Sequence, residues 1–151
     1  MSEMTITTIV EIDAPASQAW KLFGEGFGSW ADWAPGIDKS TMSGPLAEGA
    51  VRVNETPSLG TVRQELVRFD RSGHALAYEM RDNLPPFFSR LRNDWTIQSL
   101  SGDRCRLEGE ALFELRPHAV PMRDKLESKM GMTLEVFAMA FRDRLQDPRT
   151  A

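Results

Sequence analysis

The chain carries one cysteine, Cys105, and two histidines, His74 and His118. A single cysteine excludes an intrachain disulfide. These three residues also lie far apart, without the spacing of a tetrahedral zinc site, so no structural metal is expected. No apolar run approaches the ~18 residues that a membrane span requires. The segment Met1 to Val10 has no cationic stretch followed by an apolar one, so no secretory leader is expected and a soluble, cytoplasmic protein is. Positive charge is in deficit: 18 basic residues stand against 22 acidic ones, a formal net charge of -4. That balance argues against a nucleic-acid partner, which demands a clustered basic face. Arg81, Arg90 and Arg92 do gather, but with acidic neighbours interspersed, as on a solvated face. A phosphate-binding glycine loop is missing too. Gly24, Gly26 and Gly28 follow a helical pattern instead of a strand, so the dinucleotide fingerprint fails and no cofactor is expected.

What remains is an ordinary globular composition, 41% hydrophobic and 26% charged over 151 residues. That is enough for one core and a single domain spanning residues 1–151. The first strand is expected at Met4 to Ile12, where Thr, Ile and Val favour a pleated surface. Pro15 suits a first helical turn. Ala16, Ala19, Trp20 and Phe23 then recur at helical spacing, until the three glycines break the pattern. A second short helix is expected at Ser29 to Ala34, ended by Pro35-Gly36.

From Ile37 the pattern turns to strands, expected at Ile37–Ser43, Ala50–Glu55, Gly60–Phe69, His74–Arg81, Ser89–Leu100 and Arg104–Arg116. Arg71-Ser72-Gly73 and Ser101-Gly102-Asp103 are tight-turn chemistry, since glycine reaches positive φ without steric cost. The last strand alternates cleanly. Cys105, Leu107, Gly109, Ala111, Phe113 and Leu115 share one face, and charged residues share the other except at Leu112. One covered face and one wet face mark an antiparallel sheet. From about Val120 to Leu145 the residues Met122, Leu126, Met130, Leu134, Phe137, Phe141 and Leu145 step by threes and fours, predicting a long helix. Met132, Val136, Met139 and Ala140 widen the apolar stripe, so its second half is expected to be the more deeply enclosed.

Several short runs carry a family resemblance. They are Ile12-Asp13-Ala14-Pro15 with Trp20, and Phe27-Gly28-Ser29-Trp30 with Trp33-Ala34-Pro35-Gly36-Ile37. Glu65-Leu66 with Phe69-Asp70, His74-Ala75-Leu76-Ala77-Tyr78, Trp95, and Gly102-Asp103-Arg104-Cys105 complete the set. In this order they resemble the START and birch-pollen-allergen superfamily, SRPBCC, and within it the bacterial polyketide cyclase/dehydrase branch. The resemblance covers nearly the whole chain. It implies an α+β helix-grip fold: a seven-stranded curved antiparallel sheet, two short helices after the first strand, and a long C-terminal helix. It also implies a cavity between sheet and helix that opens near the short helices. Relatives of this kind include ligand carriers, cyclases, hydrolases, quinone-binding proteins and chaperone cofactors, so the fold does not choose a function.

Strand alternation names the candidate lining. Leu76, Tyr78 and Met80 share a face that carries the larger groups, and Asn93, Trp95 and Ile97 pass the same test. Gly109 and Ala111 are small and inward, leaving room. Met130, Thr133, Leu134 and Phe137 would supply the helix wall. Trp30 and Trp33 read equally as gate or structural plug. Phe87 and Phe88 follow Pro85-Pro86, and either fold back over the opening or meet a partner. Tyr78 and Asn93 are the inward polar candidates for orienting a ligand or for chemistry, because a buried polar group demands a partner. Glu55 shares a face with Val51 and Val53 and would be a general base if it pointed inward. Gln64, beside Val62 and Leu66, is a further polar candidate. Neither histidine has a partner at triad spacing. Cys105 reads as a small buried hydrophobe.

Three functions stay open. The first is binding of a small hydrophobic molecule: a lipid, polyketide or aromatic compound. The second is an enzyme of the cyclase or dehydratase kind that steers proton transfer in the same cavity. The third is a protein-interaction module built around Phe87-Phe88. Monomer and weak dimer are both compatible with the sequence.

Overall fold

A computed structural model describes residues 2–150. Strand β1 (Glu3–Ile12) alternates buried and exposed residues for most of its length, as its β-branched composition dictates. Pro15 caps α1 (Ala16–Trp20), and its carbonyl accepts from the N–H groups of Gln18 and Ala19, each at 3.1 Å. Gly24 does not break the helix. The coil continues as a widened π turn through Lys21–Glu25, and the Trp20 ring occupies the place a Cβ on Gly24 would need. A 3₁₀ turn at Phe27–Asp32 follows. Four of its six residues, Ser29 to Asp32, fall within the helix expected at Ser29 to Ala34.

Strands β2 (Lys39–Ser43), β3 (Val51–Thr56), β4 (Gly60–Asp70), β5 (Ala75–Met80), β6 (Phe88–Ser101) and β7 (Arg104–Leu115) complete one antiparallel sheet in the order β1-β7-β6-β5-β4-β3-β2. Each expected strand is present within two residues at either end. Register slips between Leu66 and Arg68, Phe88 and Arg90, and Ser99 and Ser101 mark bulges. Bulges bend the strands that carry them and increase their twist. A 3₁₀ segment at Pro117–Met122 leads into α2 (Arg123–Gln146), which extends for about 36 Å at 1.5 Å per residue. Among the described residues no helix is long and apolar enough to cross a membrane.

The concave face of the sheet and α2 enclose two joined cores. The larger gathers Phe23, Phe27, Trp30, Leu76, Trp95, Ala138 and Phe141. The smaller gathers Met4, Phe88, Ala111, Phe113 and Leu126. Phe88 is therefore a core residue, its ring 4.9 Å from that of Phe113, and Phe87 packs half-buried beside it. The second half of α2 is the more enclosed, as expected: it holds the buried Ala138 and Phe141, whereas the first half holds only the buried Leu126. Of the residues that widen the stripe, Met132, Val136 and Met139 are 66%, 57% and 39% exposed, so the widening does not extend the buried contact. Only one layer covers α2, and the stripe of Leu134, Phe137, Phe141 and Leu145 already fills the contact with it.

The outer face of the sheet is ionic. Glu79 sits among Arg90 at 2.9 Å, Arg81 at 3.7 Å and Arg92 at 3.8 Å, while Asp94 and Glu65 pair with Arg92 and Arg81. The three arginines grouped in the sequence are thus matched by carboxylates. The Arg90 hydrogen bond holds Glu79 below the usual carboxylate range. A carboxyl whose folded pKa is depressed adds stability above its unfolded pKa and loses it as pH falls through the folded one. Glu79→Gln should therefore flatten the acid limb of a stability-against-pH curve. An acid limb identical to wild type would show that this cluster carries none of the acid sensitivity.

Candidate functional site

On β3 the alternation places Arg52 and Asn54 inward, half-buries Val51 and Val53, and leaves Glu55 exposed. Glu55 does not point inward, so the general-base role that depended on that orientation has no basis. The polar pair, not the valine pair, takes the inner face, because the surrounding structure satisfies it. The Arg52 guanidinium stacks 3.7 Å from the Phe27 ring centroid and 4.1 Å from that of Trp30, with Tyr78 at 5.1 Å. Its Nη1 donates to the Phe27 carbonyl at 2.9 Å, and its Nε and Nη2 donate to Gln64 Oε1, the former at 3.1 Å. Asn54 Nδ2 donates to the same oxygen at 3.1 Å, and Ser40 Oγ donates to Asn54 Oδ1 at 2.8 Å. The network thus ties β2, β3, β4 and the Phe27 turn together.

No carboxylate joins this network. Burial pulls the Arg52 pKa down to about 10, and Tyr78 alone opposes it. Even so the group stays protonated near neutral pH, held by rings and neutral acceptors. Burial also raises the Tyr78 pKa, against the opposing influence of Arg52 and then of Trp95. Trp95 faces the Tyr78 side without completing a hydrogen bond.

Beside this network lies a cavity of about 450 Å³ between the sheet and α2. Tyr78, Asn93 and Trp95 form its sheet wall; Thr133, Leu134 and Phe137 form its helix wall. Pro35-Gly36 closes one side, and the exposed Met132 and Val136 make an apolar rim. The lining is mostly apolar, with a few converging polar groups, as in sites for small organic molecules. Two of those polar atoms, Asn93 Oδ1 and Trp95 Nε1, are buried without a hydrogen-bond partner. By contrast Thr133 Oγ1 donates back to the Lys129 carbonyl at 3.0 Å and is spent within its own helix.

Tyr78, Asn93, Trp95, Thr133, Leu134 and Phe137 are thus brought together at one cavity. The other candidates lie outside its lining. Leu76 is in the larger core, Ala111 in the smaller one, and Met130 packs half-buried against that smaller core. Met80 sits half-buried at the end of β5. Gly109 pairs with Trp95 across the sheet, and a Cβ there would meet the indole at 2.3 Å. The space it leaves is taken by that ring. Trp30 is buried, its Nε1 donating to the Phe23 carbonyl at 2.9 Å, and so is a structural plug. Trp33 packs on Phe137 at 5.2 Å and Phe141 at 5.1 Å.

Reading the sequence missed Pro35, Gly36, Met132 and Val136 as lining, and Arg52 altogether. Gln64 on the Val62/Leu66 face was the one signal for Arg52, since the two are cross-strand partners. His74 stacks on Trp20 with centroids 5.5 Å apart, and His118 is exposed; neither reaches the cavity. Cys105 is buried, and burial raises its thiol pKa. A second cleft, between β1 and α2, is rimmed by Asp124, Glu127 and Glu135. Among the described residues no three His, Cys, Asp or Glu side chains are grouped so as to hold a metal ion.

A curved seven-stranded sheet closed by one long helix, with a cavity between them, defines the helix-grip class. The sequence matches the family described as "Polyketide cyclase / dehydrase and lipid transport" over residues 3–145, and the chain belongs to that family. Solved structures of the same fold include a Thermobifida fusca protein, 28% identical, with a TM-score of 0.74 over 94% of this chain and 95% of that one. Norcoclaurine synthase from Thalictrum flavum, solved in complex with dopamine and hydroxybenzaldehyde, is 15% identical, with a TM-score of 0.76 over 97% and 88%. The di-domain ARO/CYC BexL is 17% identical, with a TM-score of 0.77; the match covers 96% of this chain and 50% of that one. No curated protein matches the sequence.

Proposed function

We propose that the protein binds a small hydrophobic molecule of fused-ring or comparable size in the cavity between β5, β6 and α2. The observation that carries this reading is the cavity of about 450 Å³ walled by Trp95, Leu134 and Phe137. That volume falls in the range of ligand pockets, roughly 300–1,000 Å³. The family description, which joins cyclases with lipid transport, supports it. The test is a thermal-shift panel of naphthalene-sized aromatics and fatty acids, with native mass spectrometry of freshly purified protein. A ligand at a hundredfold excess over its Kd adds about 2.7 kcal/mol, which raises Tm by about 5 °C or more for a chain of this length. Thr133→Trp, which places an indole at the cavity wall, should abolish the shift while leaving the fold intact. A panel that gives no shift, together with protein that carries no co-purifying compound, would sink the reading.

A catalytic reading of the cyclase or dehydratase kind is supported by Tyr78 and Asn93 at the cavity wall and by the ARO/CYC likeness. It stands second because no carboxylate or imidazole lines the cavity, so a general base is lacking there. The interaction-module reading has less support, since Phe88 is buried in a core.

A further inference from the structure

The two edges of the sheet are defended unequally. β2 is five residues long and begins on Lys39, which makes a short, charged edge. β1 runs for ten residues in an unbroken register, without proline, lysine or bulge. Its middle, Thr5 to Ile9, is uncharged and β-branched throughout. Register fixes which of its backbone groups are open. The Leu115 N–H donates to the Ser2 carbonyl, and these two residues stand directly opposite when the pairing of Glu3 with Glu114 is continued by one. Even-numbered residues of β1 therefore spend their N–H and C=O groups on β7, and odd-numbered residues turn theirs to the open side. The Glu3 carbonyl lies on that side, and Arg123 Nη1 donates to it at 2.6 Å. Among the described residues no such partner reaches the backbone of Thr5, Thr7 or Ile9. Along this edge runs the cleft of about 710 Å³ between β1 and α2, with Thr5, Ile6 and Thr7 on one side and Asp124, Glu127 and Glu135 on the other. The three carboxylates are exposed, and among the described residues none of them is in an ion pair. An open ladder beside unpaired carboxylates is a setting for strand addition by a cationic segment.

We propose that the free edge of β1 docks an extended, basic segment of a partner protein, which adds to the antiparallel sheet as a further antiparallel strand. Directly opposed residues share a face of the sheet, and this sets the pattern of the segment. A residue opposite Ile6 points to the concave side, towards the carboxylates of α2, and is a lysine or arginine. Residues opposite Thr5, Thr7 and Ile9 lie on the outer face, where Ile9 is 60% exposed, and are β-branched or apolar. A second copy of this chain is the poorer fit. Antiparallel pairing of two β1 strands about a twofold axis keeps both α2 helices on the same side of the joined sheet. Asp124, Glu127 and Glu135 of each copy then face the seam. Like charges repel there, and the whole chain is acidic, with a net charge of -4. The proposal rests on the sheet edge and is independent of what the cavity binds.

The probe is a fluorescent synthetic peptide that alternates lysine and valine over the length of β1, followed by anisotropy with the whole protein. It should bind saturably, and more weakly as salt is raised. In an antiparallel pairing its valines stand opposite Thr5, Thr7 and Ile9, so the valine N–H groups face β1 and the lysine N–H groups face away. N-methylation of the valines should therefore abolish binding, and N-methylation of the lysines should leave most of it. A peptide of glutamate and valine should not bind. Glu127→Lys combined with Glu135→Lys, both on the exposed side of α2, should weaken the lysine peptide about tenfold or more. Thr7→Pro removes one open N–H and no bond to β7, so it should abolish binding with little change in the thermal melt. The peptide comparisons use the wild-type protein, so they decide the matter even where proline disturbs the strand. No saturable binding of the lysine peptide, or equal binding of the glutamate peptide, overturns the proposal. So does a valine-methylated peptide that binds as well as the plain one. A dimer in sedimentation that Thr7→Pro dissociates would assign the edge to a second copy instead.

Discussion

Phe23→Ala should cost about 4 kcal/mol of folding stability, the range for removing a fully buried ring. Phe23 is completely enclosed at the end of the first helical segment. Its ring lies 4.6 Å from Trp30, 4.9 Å from Phe141 and 5.7 Å from Trp95, with Phe137 at 6.2 Å and Trp33 at 6.3 Å. Its ring packs among the short-helix tryptophans, the sheet tryptophan and the aromatic residues of α2 together. Neighbouring rings are too large and too mutually packed to collapse into the void, so the cavity term should add to the transfer term. Trp95 and Phe137 line the ligand cavity, so the same substitution should also loosen that wall. Urea denaturation measures the first effect. A loss below about 1 kcal/mol would mean that the ring cluster repacks freely and that the wall is not fixed from behind.

Arg52→Met carries the second large effect, and its sign depends on two opposing contributions. Removing a buried charge relieves its desolvation, which favours the variant. Removing its donors leaves the Phe27 carbonyl without its Arg52 bond and Gln64 Oε1 with only the Asn54 bond. A stranded buried acceptor costs about 1–3 kcal/mol, and the lost stacking on Phe27 and Trp30 about 2 more. Orphaning should prevail, for a net loss of about 3 kcal/mol in a urea melt. A variant as stable as wild type would show that desolvation of Arg52 offsets everything its network provides. There is a second readout. Tyr78 is the only tyrosine in the chain, so tyrosinate absorbance reports on it alone. Burial already raises its pKa and Arg52 partly restrains the rise, so the variant should titrate at still higher pH. A downward shift would contradict the placement of the cation beside the phenol.

The strands and the long helix were legible because their signals are local. Alternation in Cys105 to Leu115 and the step of threes and fours from Leu126 to Leu145 depend only on residues close in sequence. Tyr78, Asn93 and Trp95 were legible at the cavity for the same reason, since each lies on a face marked by larger apolar neighbours. β3 was not. There the apolar valines face outward and Arg52 faces inward, held by a ring from the Phe27 turn and an amide from β4. That compensation comes from segments distant in sequence, and hydrophobicity along one strand is blind to it. Gly109 shows a related gap. A small inward residue does make room, but its cross-strand partner decides whether a ligand or an indole fills it. On α2, periodicity alone cannot tell a second buried surface from the rim of an opening, and Met132 and Val136 belong to the rim.

The place of β1 at the sheet edge has a consequence in time. Among the described residues its only strand partner is β7, in a register running from Glu3 opposite Glu114 to Ile12 opposite Cys105. During synthesis from the ribosome, β1 is made first and its partner last among the strands. For most of that interval Met4, Ile6 and Ile12 have no sheet to cover them, and the backbone groups of β1 have no ladder. Pairings that close so long a loop form slowly, and a waiting edge is open to other chains. The domain should therefore reach its native state only after β7 has been made, and nascent chains are at their most adhesive shortly before then.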